Sequence, residues 1–346
     1  MKNIDSVKEY FGLDIGNSSI KLVQLKSSHP KPELVTIGST QTPDGLIASD
    51  TPESKREIAK LIVKLAKDSQ VTSNNVIASL PNSIVSANII RAPKLKKQEL
   101  DQSIKFQAEK YIPIPIDQAK IDWADLGETP DGKEVEVLLV AAPLEKANKY
   151  LEILQLAGLE LLALEINPLA HIRCFSSVKN SRYCIVDLGM SETGITIVDN
   201  HIPKLIRSVN IGIRNLVANL AENLNLPPDQ ANGYLWRLGI GQSQMQSQIF
   251  SSIQQQTDTV IQEISRSINF YNNQVGADTV KKLIFTGGGI SVPGLVSYYS
   301  GNLKIPAEYG NPWQHVSYSP SRKQYIDKTV PTFATAVGLA MRNLIE

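Results

Sequence analysis

Between Tyr10 and Lys26 two apolar runs flank the short polar turn Gly16-Asn17-Ser18-Ser19, which predicts a β-hairpin with a small hydroxyl-bearing tip. Strand-like text continues over Glu33–Thr40. From Pro52 to Asp68 the apolar positions Ile58, Ala59, Leu61, Ile62, Leu65 and Ala66 recur at helical spacing. Val76–Leu80 is a short apolar run stopped by Pro81, the mark of a buried strand. A second block spans about Ser83 to Leu159. It reads as a strand (Ile84–Arg91), a helix (Lys96–Tyr111, with Leu100, Ile104 and Ala108 on one stripe), two strands (Ile121–Leu126 and Val135–Ala142, about a polar turn at Pro130-Asp131-Gly132) and a helix (Leu144–Ala157, stopped at Gly158). The prolines of Tyr111-Ile112-Pro113-Ile114-Pro115 break the first of those helices.

A third block opens with the apolar run Tyr183–Leu188, followed by return strands over Gly194–Val198 and Leu205–Ile211 and a helix over Ile213–Asn223. Gln242–Gln256 is rich in Gln and Ser and reads as a solvated loop or helix end. Ile253–Tyr271 has the spacing of a long amphipathic helix. Leu283–Thr286 is a buried strand feeding three glycines, and Thr332–Leu344 reads as the last helix.

With 346 residues, 42% hydrophobic and 20% charged, the chain has the material for about two globular domains. Lysines and arginines number 35 against 34 acidic residues, a net charge of +1 that argues against a nucleic-acid-coating surface. Cys174 and Cys184 form no disulfide framework or metal-ligand spacing, in keeping with a reducing compartment. The N-terminal segment lacks an apolar core and a cleavage site, the longest apolar stretches are too short to span a bilayer, and the chain ends at Arg342–Glu346 with no amphipathic tail. The expectation is a cytoplasmic protein without direct membrane insertion.

Two segments share one pattern. Asp14-Ile15-Gly16-Asn17-Ser18 and Asp187-Leu188-Gly189-Met190-Ser191 each place Asp-apolar-Gly-x-Ser after an apolar strand and before another. Such tips present backbone N–H groups without side-chain obstruction, an arrangement that accepts anions. Asp-x-Gly-x-Ser is also ordinary turn chemistry, and one copy alone would carry little. Two copies point to a duplicated fold gripping a polyphosphate from both sides. Asp14 and Asp187 would repel it unless a hard cation such as Mg²⁺ bridged them, and Lys21 lies within reach of a phosphate. In Thr286-Gly287-Gly288-Gly289, glycines after a buried strand allow close approach of a flat ligand, with a helix N-terminus expected next.

In this order the motifs resemble the actin, sugar-kinase and heat-shock-chaperone superfamily. LDIGNSSIKL and IVDLGMSET are similar to its two phosphate loops, FTGGGISVPGL to its adenosine loop, and LEINPLAHIRCF and TVPTFATAVGLAMR to its connecting helices. VIASLPNSIVSANIIRAPKL, EKYIPIPIDQAKIDW and VLLVAAPLEKANKYLEILQLAGL resemble the type IV pilus assembly PilM family, with the division protein FtsA as a cousin. The resemblance covers nearly the whole chain. It implies an α/β fold: a two-domain actin-like, ribonuclease-H-like duplication with an inserted α+β subdomain. The implied divisions are a first part of domain I (1–82), the insertion (83–159), a connecting helix back to domain I (160–181), domain II (182–326) and a C-terminal helix returning to domain I (327–346).

The resemblance further implies ATP or ADP with Mg²⁺, the metal near Asp14 and Asp187. The nucleotide would meet Gly16, Asn17, Ser18, Ser19, Lys21, Gly189, Met190, Ser191, Glu192, Thr193, Asn232, Gly287, Gly288 and Gly289. It implies a PilN-like inner-membrane partner docked through a short cytoplasmic tail, peripheral location at the inner membrane through that partner, and self-association as an option. Two departures stand out. Asn232 and Leu235 occupy the positions of a nucleoside-contacting Glu and Lys, and neighbouring Trp236 is either a core residue, the commoner role, or a neighbour of the adenine. Asn167 stands where hydrolytic relatives orient water, with Glu165 two residues before as the one candidate base, so hydrolysis is expected to be slow or absent. A small-molecule kinase and an FtsA-like filament protein are the competing readings. The apolar strands Ile84–Ile90 and Val135–Ala142 are the candidate edges for a partner peptide.

Overall fold

The computed structural model describes residues 7, 9–129, 131–175, 181–276 and 280–344. Readings that fall on Pro130, on 176–180 of the connecting segment and on most of the first eight and the last two residues lie outside these. The predicted first hairpin forms β1 (Phe11–Ile15) and β2 (Ser19–Lys26), joined by β3 (Glu33–Gln41) and then α1 (Pro52–Asp68) and β4 (Asn75–Leu80). α1 starts where the sequence places it because Thr51 caps it, accepting from the Ser54 N–H, and Pro52 supplies a preset φ at the first turn.

The insertion follows as β5 (Ser86–Pro93), α2 (Lys97–Ala108), β6 (Ala119–Glu128) and β7 (Glu134–Pro143), a three-stranded antiparallel sheet in the order β5-β7-β6. The predicted helix α2 ends three residues early, in turns before Pro113. β7 is the central strand, paired on both sides, so Val135–Ala142 offers no open edge. β5 is an outer strand.

α3 (Leu144–Leu156) leaves the insertion. Its Tyr150, Ile153 and Leu154 are buried with Phe11, Leu22, Ile58 and Ile62 in the core of the first sheet. β8 (Glu160–Ile166), which the sequence reading did not separate from the connecting helix, pairs in parallel with β4. α4 (Asn167–Phe175) follows it directly.

The second half repeats the plan with β9 (Arg182–Leu188), β10 (Thr193–Asp199), β11 (Ile202–Val209), α5 (Ile213–Asn223), α6 (Pro228–Leu238), α7 (Gln244–Val275), β12 (Leu283–Thr286), α8 (Leu295–Leu303) and β13 (Ala307–Tyr309). The Gln/Ser-rich tract is the opening of α7, not a loop: Ser243 caps it and Gln246 reaches back to the Ser243 N–H. The sheet orders β3-β2-β1-β4-β8 and β11-β10-β9-β12-β13 are equivalent, two antiparallel pairings followed by two parallel ones in each. The duplication inferred from two short motifs therefore extends to the whole of both sheets.

α9 (Lys323–Thr329) and α10 (Ala334–Ala340) complete the chain. α10 is shorter than the predicted helix and passes into turns after residue 340. With α4 it fills the space between the halves: one buried cluster joins Val23, Leu25 and Leu34 to Ile185, Val198 and Ile284 through Ile172, Phe175, Ala336 and Val337. The two helices approach closely enough that a methyl group on Gly338 would overlap the Ala170 carbonyl. One turn from that contact, His171 shares a 2.9 Å hydrogen bond with Thr335, and burial lowers its pKa to about 4, so the imidazole is neutral.

Alanine is favoured over glycine in a helix by about 1 kcal/mol, whereas overpacking a tight core costs about 1–3 kcal/mol. Gly338→Ala is therefore expected to lower the melting temperature; a rise would mean that helix propensity outweighs the α4–α10 contact. For His171 the unfolded chain takes up a proton near pH 6.5 while the native state resists until about pH 4. Stability then falls as pH drops through that window, by on the order of 3 kcal/mol. Denaturant titrations at pH 7 and pH 4.5 should show a smaller difference for His171→Gln than for wild type, and an equal difference would contradict this assignment.

Candidate functional site

The two hairpin tips are built alike. In the first, the Gly16 N–H donates to the Ser19 carbonyl at 3.2 Å, and a Cβ on Gly16 would stand 2.9 Å from that oxygen. In the second, the Gly189 N–H donates to the Glu192 carbonyl at 3.0 Å, and a Cβ would stand 2.8 Å away. Glycine is required at both because the chain closes back on itself there. Each tip also has its carbonyls engaged from behind. The Thr42 N–H and hydroxyl donate to the carbonyls of Ser18 and Gly16. The first N–H groups of α5, on Ile213 and Arg214, donate to those of Gly189 and Met190.

One cavity between the halves is lined by both tips: Gly16, Asn17, Ser18 and Ser19 from one side, Gly189, Met190, Ser191 and Glu192 from the other. Asp14, Lys21, Asp187, Asn167 and the glycines Gly287, Gly288 and Gly289 line it too. Thr193 does not; it is buried behind the tip, its hydroxyl on the Ile211 carbonyl at 2.7 Å.

The two aspartates differ in their neighbours. Asp14 lies opposite Lys21 across the hairpin, 3.3 Å from its ammonium, and accepts from the Ser79 hydroxyl at 3.3 Å. The residue opposite Asp187 is Gly194, which brings no charge. Burial, then repulsion from Asp14, with Lys21 offsetting only in part, pushes the Asp187 carboxyl up to about 7. Its neighbour Glu192 is raised as well, first by burial. The site thus gathers negative charge that one lysine does not balance, and a cation would relieve it. Among the described residues no group of three or more His, Cys, Asp or Glu stands ready to hold a metal.

Gly287 takes φ +85°, and a side chain there would overlap the Asp187 carboxylate. Around Gly288 a Cβ would meet only Thr332, at 3.8 Å, so the missing side chain leaves room in the cleft. The helix expected immediately after the glycines is one 3₁₀ turn, Gly288–Ser291; the α-helix begins only at Leu295, beyond Gly294.

Two further candidate site residues, Glu165 and Asn232, end elsewhere. Glu165 is buried and ion-paired with Arg173 and Arg342 and does not line the cavity. Its charge is committed to these partners, so the structure does not bring the candidate base to the site. Asn232 also stands off the lining and accepts from the Trp236 indole N–H at 2.9 Å. Leu235 is fully buried in the core of the second half. Trp236, in contrast, lines the cavity.

Residues that the sequence reading missed are Ser79, Pro81, His171, Ile213, Thr286, Pro331, Thr332, Ala334 and Thr335. Thr286 pairs with Asp187 in the sheet, and Ser79, the last residue but one of β4, bonds Asp14, so extending the internal repeat to the fourth strand would have found both. The Thr286 hydroxyl and the Asn167 amide oxygen, on residues that line the cleft, are buried without hydrogen-bond partners among the described residues. Two contacts cross between the halves at the second tip. The Asn82 N–H donates to Glu192 at 3.1 Å, and Arg214 links Ser191 to Asp44.

Residues 12–344 match the family described as type IV pilus assembly protein PilM. A solved structure titled "PilM-PilN type IV pilus biogenesis complex" superposes with a TM-score of 0.86 at 27% identity, covering 98% of this chain and 99% of that one. Ethanolamine utilization protein EutJ from Carboxydothermus hydrogenoformans matches with a TM-score of 0.57 at 14% identity, covering 96% of this chain and 88% of that one. MreB 5 of Spiroplasma citri bound to AMPPNP matches with a TM-score of 0.53 at 9% identity, covering 96% and 95%. The last two likenesses concern the fold alone, the two-domain actin-like one. By the extent of the family match, together with the duplicated sheets and the facing hairpin tips, this chain belongs to the type IV pilus assembly protein PilM family.

Proposed function

We propose that this protein is an ATP- and Mg²⁺-binding actin-like scaffold of the type IV pilus machinery that recruits a PilN-like membrane protein by its cytoplasmic tail. The observation that carries the nucleotide reading is the convergence of both glycine tips, Asp14, Asp187 and the Gly287–Gly289 turn on one cleft. In this reading the tips and Lys21 hold the phosphates, while Asp14 and Asp187 hold the metal through its waters or directly. The metal would supply charge neutralisation between carboxylates and phosphates. Gly288 and its neighbours leave space for the nucleoside.

Neither residue that the sequence named for hydrolysis supplies a base at the site. Asn167 can orient a water by hydrogen bonding but cannot take its proton, and Glu165 is held elsewhere by two arginines. The same commitment of Glu165 weakens the small-molecule-kinase reading, which needs a base beside the terminal phosphate. The partner reading is supported by family membership and by a similar structure whose title names a PilM-PilN complex. Among the described residues no helix is long and apolar enough to cross a membrane, which suits attachment through a partner.

Calorimetry with ATP and Mg²⁺ tests the cleft. Asp14→Ala and Asp187→Ala are each expected to weaken Mg²⁺-dependent ATP binding about tenfold or more, a loss of at least about 1.4 kcal/mol, while binding measured with EDTA changes far less. Equal affinity in all three proteins would rule out the metal role. An immobilised peptide carrying the cytoplasmic tail of the PilN protein is expected to retain the full-length chain. Absence of retention in every nucleotide state would remove the recruitment reading.

A further inference from the structure

The cleft has one strongly charged region, around Asp14, Lys21, Asp187 and the two tips, and two aromatic rings, the buried His171 imidazole, already hydrogen-bonded to Thr335, and the half-buried Trp236 indole. Among its lining residues Trp236 is the sole Trp, Tyr or Phe. The position on α6 explains how it gets there. Leu235, next to it, turns into the core of the second half, and Asn232 lies one turn earlier on the same face. Part of the indole packs against that core, and another part lines the cavity. Its one polar atom is already satisfied, because the Nε1–H donates to Asn232 Oδ1 at 2.9 Å. That bond fixes the rotation of the ring and leaves it to act through its surface.

We propose that Trp236 is the platform on which the nucleotide base stacks, and that Asn232 is the positioning residue that holds it. The inference rests on the nucleotide reading of the cleft and deepens it by assigning the base end. Phosphates are placed at the charged tips, so the base falls to the part of the lining that is flat and apolar. Stacking on an aromatic ring contributes enough to matter and needs no edge-on hydrogen bonds.

The test uses the full-length protein with Mg²⁺-ATP and, as a ligand without a base, Mg²⁺-tripolyphosphate. Trp236→Leu is expected to weaken ATP binding roughly tenfold, and Trp236→Phe, which keeps a ring, by about threefold or less. Tripolyphosphate should bind Trp236→Leu and wild type alike, which also reports that the variant is folded. Mg²⁺-ATP should quench tryptophan fluorescence in wild type and not in Trp236→Phe, whose remaining tryptophans, Trp123 and Trp313, lie outside the cleft lining. Asn232→Ala is expected to reduce that quenching and to lower ATP affinity less than Trp236→Leu does. Unchanged ATP affinity in Trp236→Leu, or equal losses for ATP and tripolyphosphate, would overturn the assignment while leaving the cleft reading in place. A wild-type protein that binds neither ligand would overturn both.

Discussion

Two carboxylates from equivalent strands are held in a single cleft, and only one of them has a lysine opposite. Asp14 and Asp187 sit near the ends of β1 and β9, and the cross-strand partner is Lys21 in one half and Gly194 in the other. The cost of this arrangement shows in Asp187, whose carboxyl titrates near 7 because burial and Asp14 together disfavour its charge. A protein that needed only a stable hairpin would place an uncharged residue there. Gly287 strengthens the point: it stands so close to Asp187 that any side chain would overlap it. The arrangement makes physical sense when a cation and phosphate oxygens complete it.

The remaining architecture keeps the two tips in register. α4 and α10 form a shared layer between the sheets, so the core of one half is continuous with that of the other. Nearer the cleft the connections are lighter. The Arg214–Asp44 pair is exposed, and pairs of that kind contribute about 0–1 kcal/mol. Glu192 joins the second tip both to the Asn82 N–H, at the entrance of the insertion, and to Ser208 on β11. A strong hinge layer with weak contacts at the mouth is the expected construction for a cleft that admits a ligand between two lobes.

Much of this was legible from local sequence. The hairpins β1–β2 and β9–β10 are contiguous in the chain, and their alternation and glycine tips specify them without reference to anything distant. α1 was legible from the helical spacing of its apolar residues, and Thr51 and Pro52 fix its start locally. What was not legible depended on distant partners. β8 has the same apolar text as the helix that follows it, and only pairing with β4 makes it a strand. α3 reads as part of the insertion, yet its buried face belongs to the first sheet. Val135–Ala142 reads as an open edge until β5 and β6 are found on either side of it.

The site divides along the same line. Its backbone-determined parts, the tips and the three glycines, could be named in advance because glycine is where the chain must come close. Side-chain roles fared differently. Glu165 looked available until Arg173 and Arg342 were seen against it, and Asn232 looked like a ligand contact until its oxygen was found on Trp236. Those are tertiary facts with no local signature. The most direct measurement is a crystal structure grown with Mn²⁺ and AMPPNP, the manganese located by its anomalous scattering. The account predicts one manganese peak between Asp14 and Asp187, with the phosphates against Gly16–Ser19 and Gly189–Glu192. Nucleotide bound without metal there, or metal and nucleotide seated away from these two carboxylates, would contradict it.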